Sequence, residues 1–341
     1  MGNNLLFYIR RNKENRILEK ATRRKAKRKS NHTQVVISPN YVAVRTNSAI
    51  IAPDNISFSE SPDSTSSFIN IMIERAYYEH HRADGKEVIV LDFHSVTSIS
   101  SGFIVYLIAT INILKIKYSV SFSAIPPSSL KIKRKMEQPG FFDILDGCNL
   151  LESDSNSPLS VYFGVKYNTL VAKNVCERVI DAYGIERKSI SFLYQTIIEL
   201  MENTKAHAYS EDDICKYWYL YVATRDNGTI RFSIVDTGEG IPETVRKNWF
   251  EPLTRIIGVK KDSELIESAL LGENRSETGK YFRGKGLPKI RSCCESLRIN
   301  NLTIVSGRGV CYITDGKIAL KELKERFVGT VVTWDITIGG S

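Results

Sequence analysis

The sequence predicts an α/β protein with about two domains. A chain of 341 residues is long enough for two domains of ordinary size. In the first half, strand-like and helix-like segments alternate, which is typical of a parallel sheet layered with helices. In the second half, a long helical pattern precedes a hairpin and a late group of strands, which indicates a second α/β unit.

The elements of the first half follow from their residue patterns. β-branched runs predict strands, and apolar residues at helical spacing predict helices. Ser100 or Ser101 stands where a helix N-cap is expected, and Pro139-Gly140 ends the last helix. In chain order we expect one or two strands at 35–44, a helix at 64–78, a strand at 87–93, a helix at 101–114, a strand at 118–125 and a helix at 128–138.

The second half begins with a strong helix at 189–207. Its apolar stripe runs at spacings of four and three residues through Leu193, Ile197, Leu200 and Thr204. A second stripe advances four residues at a time and brings polar side chains to one face, which can be a solvated face or a site: Gln195, Glu199, Asn203 and His207. Further strands are expected at 217–224, 229–235, 297–305, 310–314 and 328–334, with a helix at 287–297.

Composition narrows the class of protein. Hydrophobic residues make up 42% and charged residues 25%, which excludes a disordered, collagen-like or disulfide-scaffold chain. The longest apolar stretch, 103–114, is shorter than the roughly 20 residues that a membrane span needs, so no transmembrane segment is expected. No zinc spacing joins the six cysteines and five histidines. Without a signal-peptide pattern, a cytoplasmic location is expected.

The positive charge is concentrated in an N-terminal arm, residues 1–34. The arm holds eleven Lys or Arg and two acidic residues, so it carries the entire formal excess of +9. Its run RRKAKRK at 23–29 suits nucleic acid, an anionic surface or an acidic partner, and a solvated tail is the alternative. The rest of the chain is neutral.

Residues 35–150 resemble the STAS domain of anti-sigma-factor antagonists. The segments that carry this resemblance are VIVLDFHSVTSISSGFIVYL at 88–107 and SLKIKRKMEQPGFFDIL at 129–145. The resemblance places Ser100 at the family's phosphoacceptor position, although the residue pattern by itself favours a helix cap for this serine. Ile99 replaces the Asp that precedes the serine in that family, which weakens the case for phosphorylation.

Two glycine-containing turns in the second half have the composition of a nucleotide site. Asp236-Thr237-Gly238-Glu239-Gly240-Ile241 follows a predicted strand, so a carboxylate can accept an amine while glycines let a flat ligand approach the backbone. Arg283-Gly284-Lys285-Gly286-Leu287 opens a helix, whose exposed N–H groups and dipole favour phosphate.

Together with the helix at 189–207, these turns resemble the GHKL ATP-binding superfamily over residues 155–341. Glu199-x-x-x-Asn203 is similar to its N box, D-T-G-E-G-I to its G1 box, G-K-G-L to its G2 box, and the strand with Gly329-Thr330 to its last box. The resemblance implies a Bergerat α/β sandwich, a mixed sheet covered by helices on one face, with ATP and Mg²⁺ as ligands. The resemblance gives an ATP-binding domain at 159–341, with a lid at about 249–283. The polar, turn-rich stretch at 151–158 is expected to be the linker before it.

The resemblance also implies a role for each matched residue. Glu199 is the general base, Asn203 binds Mg²⁺, and Asp236 accepts the adenine amine. The remaining implied nucleotide-binding residues are His207 in the N box, Gly238, Gly240 and Ile241 beside the base, Gly284, Lys285, Gly286 and Leu287 around the triphosphate, and Thr330 in the adenine pocket.

Three functions remain open at this point. An ATPase switch is expected first, because Glu199 precedes Asn203 by four residues, as in the hydrolysing members. The alternatives are an anti-sigma-type serine kinase acting on a STAS-domain serine and a nucleotide sensor without turnover. A histidine kinase is disfavoured because no His precedes the ATP domain in the pattern H-E/D-x-x-x-P. A protein partner is expected through the STAS-like domain or the lid, and a homodimer stays open.

Overall fold

A computed structural model describes most of the chain in eight ranges. The basic arm, the predicted strands at 35–44 and the predicted linker at 151–158 lie outside them. The described residues are 49–82, 87–146, 161–184, 187–207, 217–224, 229–248, 260–273 and 286–337.

Residues 49–146 form an N-terminal layer with parallel strand pairing. Three strands pair in the order β1–β3–β5, and a separate short pair joins β2 to β4. The alternating order of strands and helices therefore produces the α/β layer that the sequence predicts. The elements are β1 (Ile50–Ile51), β2 (Asn55–Ile56), α1 (Pro62–His80), β3 (Ile89–Asp92), β4 (Ser98–Ile99), α2 (Ser101–Tyr118), β5 (Phe122–Ile125), α3 (Leu130–Glu137) and α4 (Phe141–Leu145).

Helix α2 is the apolar centre of this layer. Ser100 caps it by accepting a hydrogen bond from the N–H of Phe103 at 3.3 Å, so the predicted cap is confirmed. Among the described helices it alone has the length and apolar composition of a membrane span, and 78% of that window is buried inside the protein. The helix continues to Tyr118, so the predicted strand at 118–125 is shortened to β5.

The C-terminal part forms a second sheet in the order β6–β7–β8–β10–β9. Every pair among the described strands of this sheet is antiparallel, whereas the pairs of the N-terminal layer are parallel. The protein therefore contains both kinds of pairing, but the expected mixed pairing within this one sheet is absent among its described strands. The elements are β6 (Val161–Gly164), α5 (Thr169–Tyr183), a 3₁₀ turn (Arg187–Ile190), α6 (Ser191–His207), β7 (Trp218–Thr224), β8 (Thr229–Asp236), α7 (Ile241–Asn248), α8 (Asp262–Leu271), α9 (Gly286–Glu295), β9 (Asn300–Thr314) and β10 (Lys317–Thr337).

Both faces of the second sheet are covered. Alternate residues such as Phe232, Ile234 and Trp334 pack against α5, α6, α8 and α9. The residues between them, including Tyr219 and Val331, share one core with α1 and α2 of the N-terminal layer. The sequence predicts helices on only one face of this sheet. That prediction holds for the C-terminal helices, but the N-terminal layer covers the other face. The second face is apolar as well, and it is buried by a segment more than one hundred residues away in sequence.

The two layers approach each other closely where α2 begins. A Cβ atom placed on Gly102 would lie 2.5 Å from the Cγ2 atom of Thr333 and 3.7 Å from the Cγ1 atom of Val331, both on β10. Glycine is therefore needed here for close packing of a helix on a strand, and the helical position requires no special backbone angle.

We expect Gly102→Ala to lower the free energy of unfolding by about 1–2 kcal/mol, because overpacking outweighs the helix propensity of alanine. Thr333→Ser removes only the methyl group that clashes, so it should restore most of the loss in the double variant. Chemical denaturation of the wild type, both single variants and the double variant measures this coupling. A Gly102→Ala protein as stable as the wild type would contradict the tight interlayer contact.

Candidate functional site

Helix α6 brings its two predicted stripes to opposite environments. Leu193, Ile197, Leu200 and Thr204 are all buried, so the predicted apolar stripe is confirmed. On the polar stripe, Gln195 is exposed, whereas Glu199 and Asn203 are half-buried. The side chain of His207 lies outside the described residues. The helix thus presents one carboxylate and one amide at the edge of the core.

The N-terminus of α9 meets these two side chains. A Cβ atom on Gly286 would lie 3.0 Å from Nδ2 of Asn203 and 3.1 Å from Oε2 of Glu199. More than eighty residues of sequence separate Gly286 from Glu199 and Asn203, and the fold brings them into contact. Gly284 and Lys285 fall outside the described residues, and Leu287 is half-buried in the first turn of α9. A helix N-terminus beside a carboxylate and an amide can hold an anion together with its counterion.

Asp236 ends β8 in a buried position. Its side chain accepts a hydrogen bond from the N–H of Gly238 at 2.9 Å, and Thr330 lies opposite it on β10 and also donates to it. Burial raises the pKa of Asp236 to about 7, although these hydrogen bonds act in the opposite direction. A carboxyl group in this environment can accept a hydrogen bond from a ligand amine that replaces lost solvation.

Two glycines make the turn around Asp236 possible. Gly240 has φ of +88°, and a Cβ atom there would lie 2.6 Å from Oγ of Ser306. Gly329 has φ of +81°, and a Cβ atom there would lie 2.1 Å from the carbonyl oxygen of Asp236. Both positions therefore require glycine for conformation and for space. Gly238 has a different role in this turn, because its N–H group donates a hydrogen bond to the side chain of Asp236.

Ser306 is a site residue that the sequence reasoning missed. It is fully buried on β9, where its hydroxyl donates to the carbonyl of Gly329 at 2.9 Å and accepts from the N–H of Ile241 at 2.9 Å. It also lies 3.2 Å from the hydroxyl of Thr330. Ser306 thus joins the turn after β8 to the strand that carries Thr330. The only local signal was a serine followed by glycine within a β-branched strand.

The two groups of residues lie on the same face of the second sheet. Asp236 and Thr330 are two residues from Ile234 and Val332, which pack with α6. Because side chains on a strand alternate between faces, Asp236 and Thr330 point to the side that carries Glu199 and Asn203. The fold therefore collects Glu199, Asn203, Asp236 and Thr330 on one side of the sheet, and the N-terminal layer occupies the other.

The segment predicted as a lid contains a packed helix. Leu265, Ile266 and Leu270 of α8 are fully buried. At the start of α8, Asp262 forms an ion pair with Arg246 of α7. Glu243, also on α7, accepts a hydrogen bond from Arg326 at 2.7 Å. The centre of the segment is thus part of the core. Residues 249–259 and 274–285 lie outside the described ranges, and the lid stays a prediction.

No group of three or more His, Cys, Asp or Glu side chains that could hold a metal occurs among the residues the structure describes. A divalent ion at Asn203 would therefore take most of its ligands from a bound phosphate chain and from water. The donor set fits this use, because Mg²⁺ prefers oxygen ligands and commonly keeps few protein contacts.

Comparisons with known proteins add little beyond this geometry. No protein-family model matches the chain. No curated protein matches it. Among solved structures, it is similar to the histidine kinase domain from the Erythrobacter litoralis EL346 blue-light activated histidine kinase. That match has 12% sequence identity and a TM-score of 0.25, and it covers 49% of this chain and 59% of the other. A similarity this weak carries no argument, so the function rests on the site itself.

Proposed function

We propose that the chain is a Mg-ATP-binding protein of the GHKL type that hydrolyses ATP. The observation that carries this proposal is the contact of Glu199 and Asn203 on α6 with Gly286 at the start of α9. These residues belong to two motifs that resemble the N and G2 boxes, and they meet on the sheet face that also carries Asp236.

Each part of the ligand has matching chemistry in this arrangement. The carboxylate of Asp236 accepts the adenine amine, with Thr330 and the turn through Gly240 shaping the base pocket. The N–H groups at the start of α9 receive the phosphates. Asn203 holds Mg²⁺, which when bound offsets the negative charge of the phosphates.

Glu199 acts as the general base. It takes a proton from water as the water oxygen forms a bond to the γ-phosphorus and the bond to the bridging oxygen breaks, which gives ADP and phosphate. Its half-buried position and its contact with the start of α9 support this role. Hydrolysis would then change the contact of the ATP domain with the N-terminal layer, proposed to be STAS-like, or with a protein partner.

A protein serine kinase is the second candidate, because residues 88–107 resemble a STAS phosphoacceptor segment. The position of Ser100 bears on this candidate. Ser100 begins α2, and α2 packs against the sheet face opposite to that of α6. Transfer from ATP to Ser100 within one chain does not suit this arrangement, so a kinase of this type would act on a serine of another chain.

The fate of the label from γ-labelled ATP tests the proposed function. Free labelled phosphate, produced by the full chain in the presence of Mg²⁺, is the expected result. Acid-stable label on a STAS-domain protein supplied as substrate would instead support the kinase. Nucleotide binding without turnover would support a sensor, and no binding at all would overturn the proposal.

A further inference from the structure

A bulge in β10 lies directly before Thr330. Phe327 is paired with Gly307, and Thr330 is paired with the adjacent Ser306. Val328 and Gly329 are therefore extra residues within the pairing of β10 with β9. Such a bulge redirects the strand and aims the side chain that follows it, which here is Thr330.

The carbonyl groups of both extra residues are held by side chains. The carbonyl of Gly329 accepts a hydrogen bond from Ser306 at 2.9 Å. The carbonyl of Val328 accepts one from the hydroxyl of Tyr106 at 2.7 Å. Ser306 belongs to β9 of the second sheet, whereas Tyr106 belongs to α2 of the N-terminal layer. The bulge is thus held from both sides by two different parts of the protein.

The side chain of Tyr106 is held in one position by its packing. Its side chain is fully buried, and its ring packs against Phe327, with 4.4 Å between ring centroids. Phe58 contacts the same ring edge-on at 5.8 Å. An immobile ring delivers its hydroxyl to one position, so the hydrogen bond to Val328 costs little further ordering.

We propose that Tyr106 is a positioning residue for adenine recognition, through which the N-terminal layer sets the affinity and base selectivity of the nucleotide site. The inference rests on the proposed ATP site. Tyr106 lies on the sheet face opposite to the proposed nucleotide site. It holds the bulge that aligns Thr330 with Asp236, and any movement of α2 relative to the sheet would change that alignment. Because linkage is reciprocal, nucleotide binding would also stabilise the docked position of α2.

Tyr106→Phe tests the proposal with little change in packing. ATP and GTP affinities of the full chain are measured by calorimetry. We expect ATP affinity to fall roughly two- to tenfold, as for loss of one buried hydrogen bond. GTP affinity should fall less, so the ATP-to-GTP ratio decreases. A purely structural loss would weaken both nucleotides equally.

Tyr219→Phe is the matched control. Tyr219 is also fully buried, and its hydroxyl also forms an interlayer hydrogen bond, with Asn112 at 2.9 Å. It lies on β7, away from the bulge. We expect this variant to keep the wild-type ATP-to-GTP ratio. Equal ratios in Tyr106→Phe, Tyr219→Phe and wild type would overturn the inference, whereas a wild type without nucleotide binding would overturn the proposed function instead.

Ser306→Ala is a second variant that keeps the inference testable if Tyr106→Phe fails to fold. It frees the neighbouring carbonyl of the same bulge, so the ATP-to-GTP ratio should fall here too. An unchanged ratio in a folded Ser306→Ala protein would show that the bulge does not determine base selectivity, and the role of Tyr106 would fall with it.

Discussion

Replacing Asp236 with Asn is expected to weaken ATP binding roughly 10- to 100-fold, the effect of losing a hydrogen bond to a charged acceptor. The same change should stabilise the ligand-free protein at pH 8. Asp236 is buried with hydrogen bonds from Gly238 and Thr330, and these do not offset the desolvation of its charge. Asp236 thus increases the expected affinity for ATP and lowers the stability of the ligand-free protein.

The direction of the pH effect follows from the raised pKa. The pKa of Asp236 is about 7 in the folded protein, well above the ordinary aspartate value of 3.8. Between these values the folded state binds the proton more tightly than the unfolded state. The contribution of this group to stability therefore declines as pH rises from about 4 to about 7, and it is fully lost above that range. ATP affinity should increase over the upper part of the same range, as the carboxylate forms.

Thermal unfolding of ligand-free protein from pH 5 to pH 8, together with ATP titrations, measures both effects. Asp335→Asn is a matched control, because Asp335 is also buried on this sheet but accepts two hydrogen bonds from Arg231, at 2.6 and 2.7 Å. It should lose stability and keep ATP affinity. An Asp236→Asn protein with wild-type ATP affinity would contradict the assigned adenine contact.

Glu199→Gln should lower the rate of ATP hydrolysis by roughly 10²- to 10⁴-fold, the usual contribution of a general base. ATP affinity should change by less than about threefold, since the amide keeps the size of the side chain and the contact with α9. Single-turnover hydrolysis and equilibrium binding, measured on the same preparation, separate the two quantities.

Glu202→Gln provides the control on the same helix. Glu202 lies three residues further along α6 and is exposed to solvent. Its replacement should leave both turnover and binding unchanged. Equal loss of turnover in the two variants would point to a general charge effect, and unchanged turnover in Glu199→Gln would remove Glu199 as the base.

Part of the candidate site could be predicted because its spacing is local. Glu199 and Asn203 are one helical turn apart, so helix periodicity alone places them on one face. Asp236 lies at the end of a strand and before glycines, which is also a local pattern. The conformational need at Gly240 follows from its left-handed backbone, a need that glycine in a turn predicts well.

Other contacts could not be predicted because they join distant segments. Ser306 reaches both Ile241 and Gly329, and Tyr106 reaches Val328 across more than two hundred residues. Neither residue has a distinctive sequence neighbourhood. The bulge in β10 depends on the register with β9, which no pattern within β10 specifies. The strand at 317–327 escaped prediction as well, since its alternating charges resemble a polar loop.

The sequence by itself determined the α/β class, the parallel pairing of the first layer, the amphipathic face of α6 and the residue types at the turns, because helix and strand periodicity and glycine chemistry act over a few residues. Only the tertiary structure decided that α2 covers the second face of the C-terminal sheet and that Tyr106 and Ser306 hold the strand carrying Thr330. The reason is physical. An apolar pattern in the sequence predicts that a face will be buried. Which segment buries it depends on shape and register over the whole chain.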